Sequence, residues 1–491
     1  MSVWQILNEQ NPWWRDKSSI DRNFYVKTWL DSKIKWVCSS FDVSWGNRVI
    51  YIIKGPRQVG KSTGIILKIR DLLKEGIDPY SILYLHCEAF SSRKELEAAL
   101  RNFLRSSNGK KWIFLDEVTH IKDWYISIKY FLDIGLLNNA TIISTGSSSL
   151  DLARASSYLA GRKGEIKGIE TDRVVLPMRF SDAIWFLVKS LPKWLSNELK
   201  RRILIAKILR GELPPEIRKL LTYWEEIEQA LDKYILTGGY PLSMDKYLKK
   251  NKIPSSIYNM FITLVRRDLE REGYDPYKID QVIKKLIDTL TTPISLEKIK
   301  SGTDIRSTTR LSDYISALQA SYVITQIPFM DPQKKSIIPR KERKYYFRDP
   351  FIYHALRSWI QGVDPFESAR ILLAEHITKS RLIENIVAEH LLRLSVTYNQ
   401  KNLTDPTSHT PYIGYWRTKK GETDFIINLP QGTIPIEVKY EETIQKRELK
   451  GILEATLKLK TKGIILTKNP EQLDITEKFV FIPVPIFLLL I

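Results

Sequence analysis

The chain has 491 residues, 43% hydrophobic and 27% charged, with 76 Lys and Arg against 56 Asp and Glu and a formal net charge of +20. That length exceeds one core, so three or four domains are expected. Two cysteines exclude a disulfide framework and a Cys-based metal cluster. No apolar run reaches the ~20 residues that span a bilayer and the opening carries no secretory pattern, so a cytoplasmic protein off the membrane is expected, its charge favouring a polyanion such as nucleic acid over a merely solvated basic surface.

The run Val49–Lys54 is continuous, apolar and β-branched, and reads as a buried parallel strand. It enters Gly55-Pro56-Arg57-Gln58-Val59-Gly60-Lys61-Ser62-Thr63, followed by a helical pattern from Gly64 to Lys74. Strand, G-x-x-x-x-G-K-[ST] loop and helix are the context of a phosphate-binding P-loop. The glycines allow the backbone to close on phosphate oxygens, and loop amides with the helix N-terminus point at the anion. Lys61 is expected to reach the β- and γ-phosphates of ATP, and Ser62 to offer its hydroxyl to Mg²⁺. Ile82–His86 is a second strand. Trp112–Leu115 is a third and ends in Asp116-Glu117. There Asp116 would hold Mg²⁺ and Glu117 would act as general base on the attacking water. Ala140–Ser144 is a fourth strand; Thr145 or Ser147 beyond it could orient water or the γ-phosphate, or simply make a turn. Arg162, in Leu159-Ala160-Gly161-Arg162, is either a finger onto a neighbouring subunit's γ-phosphate or one half of a surface ion pair. Trp13 and Trp14 read as an anchor of the N-terminal segment.

From Phe180 to about Tyr247 the spacing is helical. Helices are then expected at Ile279–Leu290, from Ile294, and at Ser307–Ala320, with Ser307 as cap, followed by strands Tyr322–Ile327 and Lys344–Phe347. Three helices and a hairpin make a winged-helix pattern. Its basic positions Arg306, Arg310, Lys334, Lys335, Arg340, Lys341, Arg343 and Lys344 are expected to contact DNA phosphates, or else to form a solvated loop on an assembly element.

Arg381–Leu392 reads as a helix. The strands Glu422–Ile427 and Ile434–Lys439 follow, joined at Gln431-Gly432. An acidic helix, a strand with Asp and a strand with Glu-x-Lys resemble the PD-(D/E)xK nuclease core. Glu437 and Lys439 share a strand face, and Asp424 can meet them from the next strand. On that pattern Asp424 and Glu437 hold Mg²⁺, Glu384 completes the shell in preference to Glu389, and Lys439 activates water. The same residues also fit a salt-bridged hairpin. Gly463–Thr467 and Phe479–Ile482 are further strands, and the apolar FVFIPVPIFLLLI stretch reads as a buried strand.

The set GPRQVGKST, WIFLDEV, STGSSS, LAGR and LPMRF, with Gly238-Gly239-Tyr240-Pro241, Arg348-Asp349-Pro350 and Glu384-Asn385-Ile386-Val387 downstream, resembles archaeal and bacterial AAA-type ATPases with a nuclease-like C-terminal domain. The resemblance implies an α/β fold with four parts: a P-loop core at 1–175, a helical lid at 176–270, a winged helix at 271–360 and a nuclease-like domain at 361–491. It also implies a sensor role for Thr145, and Arg162 acting on a neighbouring site would imply a homo-oligomer. Two functions fit. One is an ATPase that remodels or translocates DNA, with possible metal-dependent cleavage. The other is a slow ATP-binding switch in signalling or defence whose C-terminal domain recognises rather than cuts.

Overall fold

The computed structural model describes residues 2–106, 109–164, 170–400 and 412–491. The chain divides into two compact units, Met1–Leu176 and Pro177–Ile491.

The first unit is built on a parallel sheet of β1 (Val49–Lys54), β2 (Ile82–His86), β3 (Lys111–Asp116), β4 (Ala140–Thr145) and β5 (Asp172–Val174), in the order β2-β3-β4-β1-β5. β1, β3 and β4 are buried at every position, which is why they read as unbroken apolar runs rather than alternating ones. β4 lies between β1 and β3. Its carboxyl end is therefore inserted between the P-loop and Asp116. Gly55 leaves β1 at φ +151°, where a Cβ would fall 2.1 Å from the Val175 carbonyl oxygen, so the close return of β5 requires glycine. The N-terminal segment is tied to β2: the Trp14 indole donates to the Ile82 carbonyl at 2.9 Å, and the Asn11 amide serves both the N–H and the carbonyl of Tyr84 at 2.7 and 3.0 Å.

The second unit begins with helices at Phe180–Leu187, Glu198–Leu209, Trp224–Thr237, Pro241–Lys250 and Ser255–Arg271. Helices follow at Pro276–Asp288, Leu296–Lys300 and Thr308–Ala320. They are capped by Asp275, Ser295 and Ser307, whose side-chain oxygens accept from N–H groups of the first turn. The segment expected to open the second of these at Ile294 instead pairs Ile294 with Arg343 by two backbone bonds of 2.9 and 3.1 Å. β6 (Ile324–Pro328) runs antiparallel to β9 (Arg343–Phe347), and a small hairpin of β7 (Met330–Asp331) and β8 (Ser336–Ile337) lies in their connection.

After the long helix His376–Gln400, a mixed sheet forms from β10 (Ile413–Arg417), β11 (Glu422–Leu429), β12 (Gly432–Lys439), β13 (Gly463–Thr467), β14 (Asp474–Ile475) and β15 (Phe479–Pro483), in the order β10-β11-β12-β13-β15-β14. The stretch expected as one buried strand is a strand only to Pro483. Val484–Leu490 is a helix buried all round, with Pro485 in its first turn, where a missing N–H costs no helical bond.

The short downstream motifs are ties within this unit. Asp349 caps the helix Pro350–Gln361 by accepting from Phe351 N–H at 2.8 Å, and its other oxygen accepts from Gly239 N–H at 2.7 Å. Gly238, at φ +61°, leaves no room for a Cβ, which would lie 1.9 Å from that carboxylate. Arg348 grips Glu389 with two bonds of 3.1 and 2.9 Å, and Arg393 adds a third at 2.8 Å. Glu389, the weaker metal candidate on sequence, is thus committed to two arginines. The Asn385 amide bonds both the N–H and the carbonyl of Phe347. His390 Nδ1 faces the Ile386 carbonyl at 2.8 Å, while Nε2 accepts from Phe180 N–H at 2.9 Å.

Burial, reinforced by the positive charge of Arg393, pushes the His390 imidazole down to about 3, so it folds neutral. An unfolded histidine takes up a proton below about 6.5, so this contribution is present above that pH and is lost as pH falls. The stability difference between wild type and His390→Gln, read from urea unfolding, is expected to shrink by about 2 kcal/mol between pH 7 and pH 5.

Candidate functional site

In the first unit the P-loop runs into the helix Lys61–Lys74, with Gly60 at φ +96° as its left-handed entry. The Lys61 ammonium is buried and donates to the carbonyls of Gly55 and Pro56, both at 2.8 Å, which pins its stem across the loop. Asp116 is fully buried at the end of β3. It accepts from the Thr145 hydroxyl at 2.6 Å, the Tyr84 hydroxyl at 3.1 Å and the Glu117 N–H at 3.1 Å. Of the two polar candidates after β4, Thr145 is therefore the one joined to the acid pair. Glu117 holds a left-handed backbone, φ +49° and ψ 41°, a costly conformation for a side-chain-bearing residue and one concentrated at functional sites.

Tyr25, on the helix Phe24–Asp31, reaches this site from the N-terminal segment and lies near Ser62 and Asp116. Its hydroxyl is pushed above the usual tyrosine range by burial first and then by the negative charge of Asp116, with Glu117 and Glu88 adding to it. Burial, then Asp116, raises Tyr84 too. Neither tyrosine was readable as a site residue. Tyr25 lies outside every motif, and Tyr84 lies inside a strand whose pattern signals only burial. The donor set fits a magnesium nucleotide: a hydroxyl and a buried carboxylate supply the hard oxygens that Mg²⁺ takes, and the helix N-terminus and Lys61 supply the anion's partners.

The second constellation lies in the C-terminal sheet. Phe425 pairs with Ile436, which sets Asp424 opposite Glu437 as the strand alternation requires. The Asp424 N–H donates to Glu437 at 3.2 Å, the Val438 N–H donates to Asp424 at 3.0 Å, and Lys439 pairs with Glu437 at 2.7 Å. The structure adds a residue from another element, Lys344 of β9. Its ammonium is 2.8 Å from Glu422, 2.9 Å from Asp424 and 3.2 Å from Glu384, with its side chain 1% exposed. The Tyr346 hydroxyl donates to Glu384 at 2.7 Å. Burial opposes ionisation of Asp424, but Lys344 and Lys439 hold it below the usual carboxylate range. Burial and then the charge of Asp424 push Glu384 up to about 7 and Glu437 up to about 8.

Lys344 therefore cannot be the DNA contact expected of it, and that assignment is corrected. The residue sits in the run Lys-Tyr-Tyr-Phe, buried in β9, and its charge is consumed by three carboxylates. Among the described residues no group of three or more His, Cys, Asp or Glu is arranged to hold a metal ion. Where the nuclease resemblance implies Mg²⁺, these carboxylates do not fit it, because an ammonium stands among them.

The other basic positions are placed differently. Arg306, Lys334, Lys335, Arg340 and Lys341 are exposed, and Arg343 is half-buried. Arg310 is exposed but engaged, stacked 5.2 and 5.3 Å from the Tyr274 and Tyr314 rings and 3.7 Å from Asp313. Arg162 donates to Asp133 at 2.9 Å, the surface ion pair of its two readings. No helix among the described residues is long and apolar enough to cross a membrane.

Residues 47–183 match the family model of an AAA domain, and residues 228–363 and 379–487 match two domains of unknown function, DUF8612 and DUF4143. Residues 47–183 are therefore an AAA-type P-loop domain. An uncharacterized protein of Haemophilus influenzae is 30% identical over 125 residues, 24% of this chain and 30% of that relative, so the matched stretch spans less than a third of the relative's length. Among solved structures, a Walker-type ATPase of Pyrococcus abyssi aligns over 70% of this chain and 95% of its own at 17% identity with a TM-score of 0.38. The Orc1 protein of Aeropyrum pernix in complex with DNA aligns over 68% and 90% at 14% identity, TM-score 0.27. The Holliday junction branch migration motor RuvB of Thermotoga maritima aligns over 62% and 86% at 14% identity, TM-score 0.25.

Proposed function

We propose that this chain is a Mg²⁺-dependent ATPase of the AAA type whose turnover is coupled to DNA. One observation carries the reading: Lys61, Ser62, Asp116 and Thr145 converge at the carboxyl ends of β1, β3 and β4, where open parallel sheets bind their ligands. In this reading the loop amides and Lys61 bind the phosphates. Ser62 and Asp116 would hold Mg²⁺, which would supply charge neutralisation at the phosphates. Glu117 takes the proton of the attacking water, and Thr145 keeps Asp116 in place.

DNA is the proposed partner because the exposed Lys334, Lys335, Arg340 and Lys341 cluster in the connection between β6 and β9, where a winged helix places its wing. Arg306, half-buried Arg343 and engaged Arg310 would be secondary contacts. A homo-oligomer belongs to this reading; Arg162 would have to leave Asp133 to serve a neighbour.

A slow ATP-binding switch is the second reading. It is favoured by the closure of Lys61 onto its own loop, which must be undone before a nucleotide is seated.

Steady-state ATPase with and without duplex DNA separates them. In the motor, DNA raises the rate several-fold, Glu117→Gln binds ATP but turns over at least ~100-fold more slowly, and Lys61→Ala loses binding. Replacing Lys334, Lys335, Arg340 and Lys341 by Gln should remove the DNA stimulation and lower the salt slope of DNA binding by up to about 4. A slow rate indifferent to DNA favours the switch.

A further inference from the structure

We infer that Lys344 is the resident cation of the nuclease-like site, so that this domain holds no divalent metal and does not cut phosphodiesters. The inference stands apart from the ATPase reading.

Three carboxylates, from β11 and the helix His376–Gln400, converge on one ammonium at 2.8–3.2 Å. Those are ammonium-to-oxygen distances, and the Tyr346 hydroxyl donates to the same Glu384 oxygen that Lys344 bonds. One oxygen of each carboxylate is thus bonded to the ammonium, which stands where a shared cation would stand.

Lys344 is not a side chain visiting from solvent. It lies within β9, in register with Ile327 of β6, and the residue before it is bonded through both backbone groups to Ile294. Its stem is buried with its head, so it cannot swing out as a surface lysine would.

Glu384, Glu422, Asp424 and Glu437 face Lys344 and Lys439, and each acid has a donor or cation against it. A divalent ion would have to displace the Lys344 ammonium from these carboxylates, since both cannot stand at the same oxygens. The cluster therefore joins β9 to the C-terminal sheet, and the charge that would polarise a phosphodiester is spent on that joint.

The test counts Mn²⁺ bound to the full-length chain by electron paramagnetic resonance, without nucleotide, for wild type, Asp424→Asn, Lys344→Met and the double variant. Differences between variants cancel any ion held at the P-loop. Wild type and Asp424→Asn are expected to bind equally. Lys344→Met should gain one site, and the double variant should lose it. A site present in wild type and absent in Asp424→Asn overturns the inference, as does a folded Lys344→Met that gains none. Should Lys344→Met not fold, wild type against Asp424→Asn still decides, together with cleavage of supercoiled plasmid in Mn²⁺. Wild-type cleavage abolished by Asp424→Asn would overturn it.

Discussion

A charge taken out of water must meet its opposite, and the second unit of this protein is organised by that requirement. Glu389 is gripped by Arg348 and Arg393, and Lys344 by Glu384, Glu422 and Asp424. Truncating one member of such a set leaves the rest buried and uncompensated, which is far costlier than losing a surface pair. Both sets join elements distant in sequence: β9 and the residue after it to the helix His376–Gln400, and β9 to β11. Both sets tie the part named on sequence as winged helix to the part named nuclease-like domain, and these lie with the lid segment in the compact unit Pro177–Ile491.

The first unit obeys a different constraint. Placing β4 between β1 and β3 brings three strand ends together, so a carboxylate, a hydroxyl and a phosphate loop meet without any long side chain reaching for them. Asp116 is oriented by three donors, and Glu117 beside it is held in a backbone state it would not choose alone. Tyr25 shows the site is also approached from outside the sheet: a residue thirty positions upstream of the loop lies close enough for the charge of Asp116 to raise its hydroxyl.

What the sequence showed depended on how local the signal was. β1, β3, the P-loop helix and the Ser307 cap followed from periodicity and turn chemistry, because their causes lie within a few residues. The pairing of Asp424 with Glu437 followed from strand alternation. Lys344 did not, since its role depends on which strand β9 packs against, and position in a basic loop outweighed its place in an aromatic run. The Gly238-Gly239, Arg348-Asp349 and Glu384-Asn385 motifs could be seen but not interpreted. Each is half of a contact whose other half lies 38 to 110 residues away. The Val484–Leu490 helix was missed because a short buried apolar run has no period to distinguish helix from strand.

The backbone of the helix Phe180–Leu187 and its approach has a consequence for the order in which the molecule is made. The Phe180 N–H is satisfied by His390, the Pro177 carbonyl by Arg393, and Ser181 bonds the Ile491 carbonyl, over separations of 210, 216 and 310 residues. At ribosomal speeds of ~5–20 residues per second, the earliest of these partners emerges ~10–40 s later. Until then the amphipathic helices from Phe180 to Arg271 have left the ribosome with their polar groups unmet and their apolar faces uncovered. The first unit, whose strands all lie within Met1–Leu176, can close in that interval. The second is a late, high-contact-order folder, and its waiting helices are the segment of this chain for which a chaperone has the most time to act.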